Sequence, residues 1–140
     1  MLPKLLTENL CSLRADVDRL SFSTIWEVDK DANIINTKYC KTIIRSRKAF
    51  TYGQAQELME SQDKGSIATA IRNLNNIAKK LKQKRIDKGA LTLASTQVKI
   101  TLEEETHSAT DVKMYEMMET NYLIEEFMLL SNIAVAEKIY

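Results

Sequence analysis

Residues 21–45, "SFSTIWEVDKDANIINTKYCKTIIR", decide the fold class. The first part, "SFSTIWEVD" at 21–29, sets Phe22, Ile25 and Trp26 in a β-rich composition, and "IINTKYCKTIIR" at 34–45 returns as a second β-rich run. Between them "KDAN", residues 30–33, has turn chemistry. Asp and Asn side chains hydrogen-bond their own backbone and so compete with continued strand. Two such runs with a four-residue connection predict an antiparallel hairpin.

After the hairpin the period changes. "TYGQAQELMES" opens a short helix with Thr51 as its N-cap, because a threonine hydroxyl can accept from the free amides of the first turn. From Ser66 to about Arg85, Ile67, Ile71, Leu74, Ala78 and Leu81 recur at three- and four-residue steps. That spacing predicts an amphipathic helix, capped by Ser66 and ended by Gly89. "ALTLAS" and "QVKITLE" then predict two short strands, and the segment from about Thr110 to Tyr140 predicts one long helix. Strands, helices, strands and a helix in this order give an α+β class. One proline and three glycines punctuate 140 residues, with no repeat or low-complexity linker, so residues 1–140 are expected to form a single unit.

The composition, 44% hydrophobic and 28% charged, is that of a soluble globular protein. No apolar run approaches the roughly 20 residues that span a bilayer, and "MLPKLLTENLCSLRAD" is not patterned as a signal peptide, so an intracellular location and no membrane partner are expected. Two cysteines, Cys11 and Cys40, and the lone His107 match no zinc spacing, so a metal site of soft ligands is not expected and the thiols are expected to be reduced and structural. The net charge of +1 hides an asymmetry: residues 1–102 carry 18 Lys and Arg against 10 Asp and Glu, and residues 103–140 carry 2 against 9. Two readings follow, a first part that faces nucleic acid or two parts that attract each other.

On the last predicted helix, Glu125 and Glu126 stand in the apolar run "NYLIEEFMLLSN", residues 121–132. Tyr115, Met118, Tyr122, Glu125, Leu129, Ile133 and Ala136 share one stripe at helical spacing, and Glu126 lies about 100° round from it. A carboxylate is rarely buried alone, since desolvation is costly. It is either paired with a basic residue from elsewhere or aimed at a ligand in a cleft. The tract "KKLKQKRIDK", Lys79–Lys88, carries six cations and one acid. It is either a solvated helix face or a phosphate-tracking surface that Arg45, Arg47 and Lys48 extend. Tyr52 follows closely, and an aromatic ring beside basic residues suits contact with a single strand, although a core tyrosine fits as well. His107 and Glu103–Glu105 are expected in solvated loop. No nucleophile motif, P-loop or glycine-rich phosphate cradle is present, and the pairs Asp16/Asp18 and Asp29/Asp31 make no convincing magnesium site.

Five stretches occur in order: "LPKLLTENLCSLR", "VDRLSFS", "TYGQAQ", "RIDKGALTLAS" and "ETNYLIEEFMLLSNIAVAEKI". Together they resemble the middle of the catalytic domain of the ribonuclease II (RNB) family, over essentially all 140 residues. The chain is most similar in flavour to the eukaryotic members that act in the RNA exosome. The resemblance implies part of a processive, hydrolytic 3′→5′ exoribonuclease that releases nucleoside 5′-monophosphates from single-stranded RNA. It implies magnesium in the intact parent enzyme, two-metal chemistry, exosome core subunits as partners, and a home in nucleus and cytoplasm.

In the family an aspartate cluster that holds the metals precedes the "LP…LCSL" motif, which here begins at Leu2. The cluster is therefore expected before Met1, and a later catalytic arginine and the flanking OB-type domains are likewise expected outside the chain. No catalytic residue or bound metal is expected within it, and the chain alone is expected to be inactive and prone to self-association. By position, Tyr52 matches a tyrosine that contacts RNA near its 3′ end, and Glu125 a glutamate that helps to tell ribose from deoxyribose. Arg45, Lys84 and Arg85 are further RNA-binding candidates, and Glu126 is expected to have a structural partner. At Leu93 bacterial relatives carry a stacking aromatic residue, which leucine cannot replace in kind. The alternatives are a non-catalytic RNA-binding module on the same scaffold, or a purely structural adaptor.

Overall fold

The structure, a computed structural model, describes the backbone of residues 2–91, 98–102, 109–114 and 117–140, with side chains for the first and last of these ranges. Met1, before which the aspartate cluster is expected, lies outside the described residues. After a short π-helical turn at Leu5–Leu10 come strands β1 (Asp18–Val28) and β2 (Ile34–Arg45), then helices α1 (Tyr52–Glu60) and α2 (Ser66–Asp87). Strands β3 (Val98–Leu102) and β4 (Ala109–Met114) precede the last helix, α3 (Glu119–Ile139). The α+β class is as expected, with two separate two-stranded antiparallel sheets.

The hairpin forms where the composition places it, but β1 starts three residues earlier and the connection is Asp29–Asn33, five residues rather than four. Asp29 explains the difference. Its Oδ1 accepts from the amides of Asp31 and Asn33, both at 2.8 Å, and its Oδ2 accepts from Asn33 Nδ2 at 2.7 Å. These bonds, from Asn33 above all, hold the Asp29 carboxyl below the usual carboxylate range. They also hold Ala32 in the left-handed region at φ 57°, which an unassisted alanine avoids. The register pairs Phe22 with Lys41, Thr24 with Tyr39 and Trp26 with Thr37. Near the turn this face meets α3, where Tyr39 Oη donates to the Ala134 carbonyl at 2.7 Å. Farther out the same face leaves Leu20, Phe22 and Ile43 exposed.

Helix α1 begins as expected. Thr51 Oγ1 accepts from the Gln54 amide at 3.3 Å while the Gln54 side chain accepts from the Thr51 amide at 3.0 Å, a reciprocal capping box. Helix α2 has Gly65 as its N-cap, not Ser66, which is its first residue. Its end matches the sequence. Gly89 adopts φ 92°, its amide donates to the Ile86 carbonyl at 2.8 Å, and the Ala90 amide donates to the Arg85 carbonyl at 3.1 Å. This is a Schellman ending, which a glycine at the left-handed position makes inexpensive. Gly89→Ala is expected to cost about 1–2 kcal/mol from the Cβ penalty at positive φ, read as a shift in the urea midpoint.

Two expectations change in the last third. The long helix does not start near Thr110: Ala109–Met114 is a strand paired with β3, and α3 starts at Glu119. "TDVKM" alternates Val112 and Met114 with polar residues, a period of two that the neighbouring helix signal obscures. The strand expected in "QVKITLE" is present as β3, whereas most of "ALTLAS", with Leu93, and also Glu103–Glu105, His107 and Tyr115 lie outside the described residues or side chains. The face of α3 also differs. Thr120, Leu123, Glu126 and Ala134 are buried, while Tyr122 and Ile133 of the expected stripe are exposed. The helix is apolar nearly all round, so its own period does not choose a face. Both cysteines are free, Cys40 half-buried and Cys11 exposed, so only Cys40 suits a packing role.

Candidate functional site

An open cleft of about 970 Å³ lies between the hairpin turn, the C-terminal end of α2 and the middle of α3. Trp26, Tyr39 and Leu130 form part of its apolar lining, and Lys84, Arg85, Lys88 and Glu126 bring charge to it. The positions follow from the helix period. On α2, Lys79, Lys82 and Arg85 recur every three residues on the side that meets α3, and Lys80 and Lys84 recur at four on the side that meets the hairpin turn.

Each of these cations has a partner. Lys79 Nζ bonds Glu119 Oε1 at 2.9 Å, and Lys82 Nζ sits 4.0 Å from the centre of the Tyr122 ring. Lys80 Nζ reaches the Lys30 carbonyl at 2.5 Å and Asp31 at 3.3 Å, and Lys84 Nζ reaches Asn33 Oδ1 at 2.5 Å. The basic tract is therefore neither a freely solvated face nor an open phosphate track along its whole length. Among the described residues only Lys88 of the tract has no such partner. Of the two readings of the charge asymmetry, attraction between the basic and acidic parts is present: Lys79 holds Glu119, and Arg85 holds Glu126.

Arg85 is the centre of this arrangement. Its Nη2 donates to Glu126 Oε1 at 2.5 Å and its Nε to Glu126 Oε2 at 3.2 Å, a two-point fork. The same Nη2 lies 4.0 Å from Glu125 Oε1. The Glu126 side chain is 4% exposed, Arg85 30% and Glu125 41%. One guanidinium thus sits at the seam of two carboxylates, one buried and one open to solvent. The bond to Glu126 raises the guanidinium further above its already high range, so its charge is permanent. Glu119 is held below the usual carboxylate range by the hydrogen bond from Lys79 and then by that from Asn75.

Tyr52 opens α1 with its ring partly exposed. Its carbonyl accepts from the buried Thr120 Oγ1 at 3.0 Å, and Gln56 Oε1 accepts from the Thr120 amide at 3.2 Å. Gln56 thereby satisfies one of the free first-turn amides of α3. Thr120 stands about one and a half turns, roughly 7.5 Å along the axis, from Glu125. Tyr52 and Glu125 are thus carried on elements bonded directly to each other. Nothing in the sequence marks Thr120 and Gln56 for this role, because their partners are 64 and 68 positions away.

Arg45 is not part of this group. It bonds Asp18 Oδ1 at 2.6 Å at the open end of the hairpin. It lies eleven positions along β2 from Ile34, beside the turn, on the order of 35 Å of strand. The pair shifts both groups: Arg45 draws the Asp18 carboxyl below its usual range, and Asp18 raises the Arg45 guanidinium.

Among the described residues, which begin after Met1, no group of three His, Cys, Asp or Glu side chains is placed to hold a metal ion. Three of the carboxylates are committed elsewhere, Glu126 to Arg85, Asp29 to the turn and Asp18 to Arg45. These residues do not fit a magnesium site. Among the described residues no helix is long and apolar enough to cross a membrane.

The chain is 50% identical over 141 residues to the human protein "Exosome complex exonuclease RRP44", which covers 100% of the chain and 15% of that protein. It is 51% identical over 140 residues to "Exosome complex exonuclease RRP44 homolog A" of Arabidopsis thaliana, covering 99% of the chain and 15% of that protein. "Exosome complex exonuclease dis3" of Schizosaccharomyces pombe is 49% identical over 141 residues, covering 100% of the chain and 14% of that protein. The chain thus spans about 15% of the length of these relatives. The fold matches Mycoplasma genitalium RNase R, in its apo form with a TM-score of 0.88 and 20% identity, over 99% of this chain and 22% of that one. It also matches that protein in complex with ribose methylated single-stranded RNA, with a TM-score of 0.89, 20% identity and the same coverage. The RNB domain matches residues 1–140, the whole of the chain, which therefore belongs to the RNB domain family.

Proposed function

We propose that the chain is the middle part of the catalytic domain of a hydrolytic, processive 3′→5′ exoribonuclease that acts on single-stranded RNA in RNA processing and decay. The observation that carries this reading is similarity at about half identity, along the whole chain, to exosome exonucleases of human, plant and fission yeast. The proposal includes exosome core subunits as partners of the parent protein, nucleoside 5′-monophosphates as products, and action in nucleus and cytoplasm.

In this reading the chain supplies a wall of the substrate channel rather than the metal centre. The described residues of this chain do not form a metal site, and the metal chemistry that the family reading implies belongs to the rest of the parent protein. The chain's own residues bind and select. Glu125 accepts a hydrogen bond from a ribose 2′-hydroxyl, which DNA lacks. Tyr52 places its partly exposed ring against RNA near the 3′ end. Lys84, on the cleft wall, is better placed than Arg45 to meet a phosphate, since Arg45 sits at the far end of the hairpin. The uncovered Leu20, Phe22 and Ile43 give the isolated chain an apolar face that favours self-association without biological meaning.

The test compares two polypeptides with labelled single-stranded RNA and magnesium: residues 1–140 alone, and the longer protein with about 150 residues more on each side, roughly one domain length. Only the longer form is expected to shorten RNA from its 3′ end. Digestion by residues 1–140 alone would overturn the division of labour. Binding without digestion by the longer form would replace the enzyme reading with that of a non-catalytic RNA-binding module.

A further inference from the structure

We infer that Arg85 is a positioning residue for Glu125: it spans the two adjacent carboxylates, anchored on buried Glu126, and holds the Glu125 carboxylate as an open acceptor. This inference rests on the proposed role of Glu125 in recognising ribose.

Adjacent residues on a helix point about 100° apart, so Glu125 and Glu126 diverge from one point on α3. Arg85 meets them at that point. It gives Nε and Nη2 to Glu126, at 3.2 and 2.5 Å, and stops 4.0 Å from Glu125 Oε1. The second distance is an ion pair and exceeds hydrogen-bonding range. The guanidinium therefore restrains Glu125 by charge without occupying its oxygens. A carboxylate in two-point contact with an arginine would have part of its acceptor capacity engaged and its orientation set by the guanidinium, leaving less for a ligand hydroxyl. A carboxylate with no cation beside it would be repelled by Glu126 and left to sample its rotamers in solvent.

The arginine is itself immobilised. Its backbone carbonyl receives the Ala90 amide at 3.1 Å in the Schellman ending, and Glu126, 4% exposed, fixes its head. A lysine would not do the same work, because its ammonium is a point charge without the planar fork that binds one carboxylate at two points. The buried acid, the arginine and the open acid thus form a relay of position. It transmits the rigidity of the interface between α2 and α3 to a half-exposed side chain.

The test uses the full-length protein and compares kcat/KM for matched RNA and DNA strands, with thermal denaturation alongside. Arg85→Met with Glu126→Leu exchanges the buried pair for apolar side chains, an exchange that is often neutral for stability. It removes the guanidinium from Glu125 while keeping the helices packed. The ratio of RNA to DNA activity is expected to fall roughly three- to ten-fold, on the scale of a misplaced hydrogen bond to a charged group. Adding Glu125→Ala should bring the ratio to the level that Glu125→Ala reaches alone and no lower. Arg85→Lys, which keeps a cation and needs no repacking, is expected to lower the ratio in the same direction. A purely structural role for Arg85 would lower RNA and DNA activity in parallel. If Glu125→Ala lowers the ratio but both Arg85 variants keep it, the positioning role is overturned and the Glu125 reading survives. If Glu125→Ala keeps the ratio, both fall together.

Discussion

Arg85→Met is expected to lower the stability of the fold by about 3 kcal/mol, at the lower end of the cost of orphaning one member of a buried ion pair. The cause is the glutamate left behind. Glu126 is 4% exposed and receives both of its short contacts from Arg85. Without them a carboxylate stays desolvated beside Leu123 and Leu130, or forces α3 away from α2 to reach water. The lower end applies because the Arg85 side chain is 30% exposed, so some water can replace it. Arg45→Met is the control. That arginine bonds Asp18 at 2.6 Å, a distance close to the shortest at Arg85, yet the two side chains are 64% and 57% exposed. Exposed pairs contribute about 0–1 kcal/mol. Burial, not distance, separates the two predictions. Thermal denaturation reads the difference as roughly 6–12 °C for Arg85→Met, at a few degrees per kcal/mol for a chain of this size. Equal shifts for the two variants would show that Glu126 reaches solvent or another donor without Arg85.

What the sequence discloses follows the range of the forces involved. The Thr51 cap and the Gly89 stop are local devices whose partners lie within a few residues, and the hairpin joins two runs that are neighbours in sequence; all three form, the hairpin with a β1 that starts earlier than composition suggests. The Asp29 turn is also local, yet its five-residue length depends on three hydrogen bonds to one carboxylate, which composition does not count. The start of α3 was illegible because strand β4 carries no strong strand signal beside a long apolar helix. The buried face of α3 was illegible for another reason. With Tyr122, Leu123, Ile124, Phe127, Met128, Leu129 and Leu130 distributed all round, periodicity has no preferred direction, and tertiary partners decide. That α2 presents Arg85 to α3 fixes Glu126 as the inward carboxylate, 41 residues away in sequence. The expectation that Glu126 has a structural partner thus holds, but its partner came from a tract that sequence alone treats as solvated or as RNA-facing. The role of Glu125 belongs to neither category, since only similarity to the family points to it.

Glu125→Ala in the full-length protein is expected to lower the preference for RNA over DNA by about ten-fold or more, since a hydrogen bond to a charged group contributes roughly 1.5–3 kcal/mol. The loss should fall on one substrate. RNA loses the acceptor of its 2′-hydroxyl, whereas DNA presents no hydroxyl and never had that bond. Activity on DNA should stay level or rise slightly, because the wild-type carboxylate is left unpaired when DNA is bound. The fold should tolerate the change: Glu125 is 41% exposed and makes no short contact with Arg85, so truncation costs within about 0.5 kcal/mol, as at an ordinary surface position. Glu126→Ala gives a different pattern. It strands the Arg85 guanidinium, weakens the interface between α2 and α3, and lowers activity on both substrates with stability. Two neighbouring carboxylates are thereby separated by readout: Glu125→Ala changes selectivity at constant stability, whereas Glu126→Ala lowers stability and, through the released Arg85, selectivity with it. An unchanged RNA-to-DNA ratio in a stable Glu125→Ala protein would place ribose recognition elsewhere in the parent and leave Glu125 as a solvent-facing neighbour of the Arg85–Glu126 pair.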